Sequence, residues 1–120
     1  MNHVSIRLIA VLSLLALACS GCKRRGPSDI RVANPSAQPY LQVVLETNSF
    51  GDLKPNSTSE YRHVEVAFPY PDLVLRLGTS QVSMASMSQG EPLGPGRYTY
   101  VLKLRTQLPV GVDVEVVKEP

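Results

Sequence analysis

From Ile30 to Lys118, apolar residues fall at every second position, in short runs cut apart by proline and glycine. An extended backbone points successive side chains to opposite sides, so period two marks strands that bury one face. The clearest run is Arg97–Arg105. Tyr98, Tyr100, Leu102 and Leu104 share one face; Thr99, Val101, Lys103 and Arg105 share the other. Residues 72–77 alternate in the same way, with Leu73, Leu75 and Leu77 against Val74 and Arg76. Residues 112–118 set Val112, Val114 and Val116 inward and Asp113 and Glu115 outward.

Weaker strands are expected at residues 30–34, 40–47, 60–68 and 81–86. In 40–47 the expected inward set is Leu41, Val43 and Leu45; in 60–68 it is Val64, Val66 and Phe68. Residues 48–59 have the composition of a turn-rich connection, with Gly51, Pro55 and Asn56. Gly78-Thr79-Ser80 is expected to be a tight turn, and residues 88–96 a loop with two prolines and three glycines. Ten prolines and eight glycines in 120 residues work against long helices. The expected fold class is therefore all-β: an antiparallel sandwich of about seven strands over residues 30–120, with a small closed barrel as the second choice.

The first 22 residues follow a different rule. Arg7 precedes an apolar run over residues 8–18, interrupted only by Ser13. About 11 residues is short of the ~20 a helix needs to span a bilayer, and the run ends in small residues, as a signal peptide does. The sequence Leu15-Ala16-Leu17-Ala18-Cys19-Ser20-Gly21-Cys22 resembles the lipobox of bacterial lipoproteins, in which small residues precede a cysteine that takes the lipid. Ala16 and Ala18 suit Cys19 slightly better; Ser20 and Gly21 suit Cys22. The expected division is a signal peptide over 1–18 (to 21 if Cys22 is modified), a lipidated flexible tether over 19–29, and the β domain. Lys23-Arg24-Arg25 in that tether could touch anionic headgroups. No cysteine lies beyond Cys22, so packing alone must hold the domain.

Leu93-Gly94-Pro95-Gly96-Arg97-Tyr98-Thr99-Tyr100 resembles the Pro-Gly-x-Tyr turn that enters a late strand of Ig-like and transthyretin-like sandwiches. Together with Phe50-Gly51, Lys54-Pro55, Thr58-Ser59-Glu60-Tyr61, Val66-Ala67-Phe68 and Gly90-Glu91-Pro92-Leu93, it is similar to a family of small lipoproteins of Bacteroidetes-type bacteria. The resemblance implies a lipidated leader and a β-sandwich. It implies no activity.

Chemistry has little to work with. His63 is the one histidine past the leader, and with no cysteine there it cannot build a zinc site. A Ser-His-Asp triad would have to be gathered around His63 by the fold alone. Asp113 and Glu115 share a face but lack the apolar pocket that tunes paired carboxylates. Asn56-Ser57-Thr58 is a formal glycosylation sequon that in this setting is turn chemistry. No cofactor is expected. A net charge of +2 does not suit a nucleic-acid binder.

The expectation is a non-enzymatic, lipid-anchored module of the bacterial cell envelope. Its partners would be the membrane, through the N-terminal lipid, and an envelope protein or glycan. The alternative is an envelope inhibitor that plugs a hydrolase with the 88–96 loop. The candidate recognition surface is Tyr70, rigidly framed by Pro69 and Pro71, with Glu91 and Leu93 of that loop.

Overall fold

A computed structural model describes residues 26–107 and 109–120. The signal-peptide and lipidation expectations, Cys19 and Cys22 included, lie outside the described residues. Nine strands follow in order: β1 (Ser28–Asn34), β2 (Tyr40–Leu45), β3 (Asn48–Leu53), β4 (Ser57–Thr58), β5 (Arg62–Val64), β6 (Leu73–Leu77), β7 (Ser80–Met84), β8 (Arg97–Arg105) and β9 (Gly111–Lys118). They form two sheets, one ordered β4-β1-β8-β9 with β5 also paired to β1, the other ordered β3-β2-β6-β7. The inner faces of both sheets supply a single core. The domain is all-β, in two layers.

Several expectations need correction. The strands number nine among the described residues, not about seven. The pairing is not wholly antiparallel: β1 runs parallel to β8, with Ile30 opposite Tyr98 and Val32 opposite Tyr100. The other ladders are antiparallel.

The extra strands come from the supposed connection at 48–59, which contains β3 and β4. β2 turns into β3 through Glu46-Thr47, with Leu45 paired to Asn48. Glu46 has φ 56°, a conformation usually given to Gly, Asn or Asp in tight hairpins, so the residue type gave no turn signal. β2 also bulges at Gln42 (φ 50°) and β3 at Gly51 (φ 71°), and the register shifts at both. Each bulge adds one residue to its strand and reverses the alternation beyond it. Hence Tyr40 and Val43, three apart, are both buried, while Leu41 is only half-buried. The Gln42 N–H, turned out of the ladder, donates to Asp52 Oδ1 at 2.9 Å.

The run expected at 60–68 is cut to β5 for a similar reason. β4 and β5 are two pieces of one edge, paired with opposite ends of β1. Residues 59–61 leave the ladder between them. Ser59 keeps β1 satisfied there: its Oγ accepts from Val32 N–H (3.0 Å) and its N–H donates to Val32 C=O (2.8 Å). Beyond Val64 the next fully buried residue is Ala67, out of phase, while Val66 and Phe68 are half-buried.

Where the alternation is unbroken the expected faces hold. Leu73 and Leu75 are fully buried, as are Leu102 and Val112; Arg76, Lys103, Asp113 and Glu115 are exposed. Lys103 pairs with Glu115, and Arg105 with Asp113 at 3.2 Å, all on the outer face. Tyr61 lies on the same sheet between the guanidinium groups of Arg31 and Arg97, 4.6 and 4.4 Å from its ring centre.

Three tyrosines fill the large core positions in a chain without tryptophan. Each hydroxyl donates to a backbone carbonyl: Tyr40 to Leu102 (2.7 Å), Tyr100 to Phe68 (2.7 Å) and Tyr98 to Gly94. Burial raises the pKa of all three above the ordinary tyrosine value of 10.0. A raised folded-state value stabilises the fold fully below the unfolded pKa, and that stability is lost as pH rises through the folded values. The domain should therefore lose stability above about pH 10, with phenolate absorbance growing in step with loss of the β-sheet circular dichroism. Three tyrosines ionising near pH 10 with the dichroism intact would refute this.

Candidate binding site

One end of the sandwich carries the start of β1, the β2–β3 turn, residues 65–72, residues 85–96 and the end of β9. It will be called the proximal end. The opposite, distal end carries residues 35–39, 54–56, the Gly78-Thr79 turn and residues 106–110. Tyr70, Glu91 and Leu93 all fall at the proximal end, brought together from two separate connections.

The contact is made by backbone. Ala67 and Leu93 form a bridge in which Leu93 N–H donates to Ala67 C=O at 2.8 Å, and Tyr70 N–H donates to Gln89 C=O at 3.2 Å. Gly90 (φ 80°) slides beneath the proline–tyrosine segment. A Cβ there would stand 2.8 Å from Pro69 Cγ and 3.0 Å from Tyr70 Cδ2. Only glycine tolerates both the dihedral and the approach. With the ring edge resting on Gly90, Tyr70 still leaves 63% of its surface exposed. Leu93 is half-buried against the core and acts by pinning the loop; Glu91 is exposed. Met87, on the same loop, is fully exposed.

Glu46 organises this end, and nothing in the sequence marked it. Its carboxylate accepts from Gln89 Nε2 through both oxygens at 2.7 Å, and from Asp72 N–H at 3.2 Å. Its own N–H donates to Asp72 C=O at 2.8 Å. Asp72 Oδ1 in turn accepts from Ser86 N–H at 2.8 Å. The role depends on a turn geometry that the residue type does not advertise. The 88–96 loop is thus tethered at Gln89, Leu93 and Gly96.

Along the open flank, between edge strand β3 of one sheet and β4–β5 of the other, lie two clefts. One, of about 780 Å³, includes Phe50, Asp52, Lys54, Tyr61 and Arg62 in its lining. The other, of about 460 Å³, reaches down to Ile30, Leu45 and Tyr100 near the proximal end. They meet at Asn48 and His63. Arg62 roofs the Phe50 ring at 5.7 Å. His63 is exposed, and its Nδ1 lies 3.2 Å from Asp29 Oδ1. The larger cleft is lined mainly by polar groups, among them hydroxyls, an amide, an arginine and carboxylates, and the smaller one is the more apolar. Among the described residues no group of three or more His, Cys, Asp or Glu side chains converges as a metal site would require. Asn56, of the formal sequon, adopts φ 53° in an exposed turn after β3. Comparison with protein-family models, with curated proteins and with solved structures finds no match for this chain.

Proposed function

We propose that the protein is a lipid-anchored module of the bacterial cell envelope that binds an envelope protein or glycan and catalyses nothing. The observation that carries the reading is the apolar run over 8–18 ending in Ala18-Cys19-Ser20-Gly21-Cys22. A cysteine there, behind small residues, suits attachment of lipid. Two or more acyl chains, at ~0.8 kcal/mol per buried methylene, anchor a protein stably. The ligand would lie in the flank groove that joins at Asn48 and His63.

The finer fold assignment within this reading is transthyretin-like. In an Ig sandwich the first two strands share a sheet. Here β1 and β2 lie in different sheets, which favours the transthyretin-like half of the resemblance. The inhibitor alternative needs a projecting 88–96 loop. Its tethers to Ala67, Tyr70 and Glu46 favour the module.

Expressed in a bacterium that processes lipoproteins, the chain should incorporate labelled fatty acid and sediment with membranes. The doubly substituted Cys19→Ser, Cys22→Ser variant should take up no label and should be either released or trapped with its leader uncleaved. The intact mass identifies the modified cysteine. A processed chain without acyl mass would sink the anchor.

A further inference from the structure

We infer that the proximal end of the sandwich rests on the lipid surface, with Tyr70 and Met87 as its contact residues and the distal end pointing away. The inference rests on the lipid anchor proposed above and adds the orientation that the anchor imposes.

Reach comes first. The described chain starts at Gly26, at the proximal end, four residues beyond Cys22 and seven beyond Cys19. Gly26 is packed tightly there, since a Cβ on it would stand 2.6 Å from Pro95 Cγ. At ~3.5 Å per residue, a fully extended tether spans only about 14 Å from Cys22 or about 25 Å from Cys19. The nine residues of β8 run the length of the domain, roughly 30 Å at ~3.3 Å each. A lipid-held chain therefore cannot stand on its distal end, because the tether cannot climb that far.

Surface chemistry then separates proximal-end-down from lying on a flank. Tyr70 is 63% exposed and Met87 fully so. Both belong to connections at the end where the described residues start. Tyrosine, with an apolar ring and a polar tip, prefers the membrane–water interface. Methionine adapts to an irregular apolar boundary. Lys23-Arg24-Arg25, between the lipid and Gly26, supply positive charge for anionic headgroups. A surface contact of this kind adds to the acyl chains as a second attachment signal. The flank groove would then open sideways, free for its ligand.

The chain has no tryptophan, so a single introduced one reports its own surroundings. Tyr70→Trp, Met87→Trp and Thr79→Trp are each made in the full chain and purified as processed protein. Thr79 is exposed at the distal turn. Each variant is bound to vesicles of phosphatidylethanolamine and phosphatidylglycerol carrying brominated acyl chains. Residues 70 and 87 should each lose at least about half of their emission and shift to the blue, as interfacial side chains do, while residue 79 changes in neither respect. Met87→Trp, at a fully exposed position, keeps the test sound if Tyr70→Trp disturbs the packing on Gly90. Equal quenching at 79 means the domain lies on its flank and overturns the orientation. Acylated, vesicle-bound protein with no quenching at 70 or 87 overturns the contact and leaves the anchor standing. Absence of acyl mass overturns both.

Discussion

Leu102→Ala should destabilise the domain by roughly 2–5 kcal/mol, the range for a buried leucine whose removal leaves a cavity. Leu102 is fully buried at the centre of β8, the strand that joins β1 to β9. Its carbonyl also accepts the Tyr40 hydroxyl from the facing sheet at 2.7 Å, so any shift of the β8 backbone into the cavity strains a second core contact. The neighbouring change, Lys103→Ala, removes only an exposed pair with Glu115 and should stay within about 0.5 kcal/mol. Denaturant titration of the two variants separates them. With ~5–10 kcal/mol in hand for a domain of this size, the leucine variant should be partly unfolded at growth temperature. Equal effects would mean that β8 is not the central strand described.

The second large effect belongs to a polar residue. Asn34 ends β1 and is 1% exposed. Its Nδ2 donates to the carbonyls of Gln38 (2.7 Å), Lys54 (3.3 Å) and Leu53 (3.4 Å). Its Oδ1 accepts from the Ser36 N–H (2.9 Å) and hydroxyl (2.7 Å). One side chain thus closes the distal end, tying the turn after β1 to the end of β3. Asn34→Ala strands several of these groups away from water and should cost about 2–4 kcal/mol, since buried groups left unpaired cost more than the net worth of their bonds. Asn34→Asp keeps the shape but faces an acceptor toward three carbonyls. It should cost at least as much at neutral pH and recover in part on acidification, when the carboxyl regains a proton to donate. Denaturant midpoints of both variants at neutral and acid pH measure this. An Asn34→Ala midpoint equal to the parent's would show that the turn closes without the amide.

The sequence was most legible where one face is simply buried. β6, β8 and β9 follow from parity because nothing interrupts their pleat. It was least legible where the backbone leaves the ordinary extended region. Gln42 and Glu46 take positive φ without being glycine, asparagine or aspartate, so one bulge and one hairpin gave no local sign. β4 and β5 are short edge pieces anchored by Ser59, and two or three residues carry too little periodicity to register. The parallel β1–β8 pair depends on contacts between distant segments, which no local pattern encodes. The exposure of Tyr70 was legible because two prolines frame it. Its juxtaposition with Glu91 and Leu93, and the organising part of Glu46, belong to tertiary structure alone.

That parallel pair also fixes the order in which the domain can come into being. β1 is the first strand made, yet its central partner β8 lies far down the chain; Arg31 and Thr99, bonded side chain to side chain at 2.9 Å, are 68 residues apart. Closing so long a loop must precede any reward from the contacts it permits, which makes folding slow and late. Until Tyr98 to Leu102 become available, β1 has only the short edges β4 and β5 to hold, and no stable intermediate is expected from them. Under the export proposed above, that delay would keep the two-layered domain open until β8 has crossed, and the sandwich would close only then.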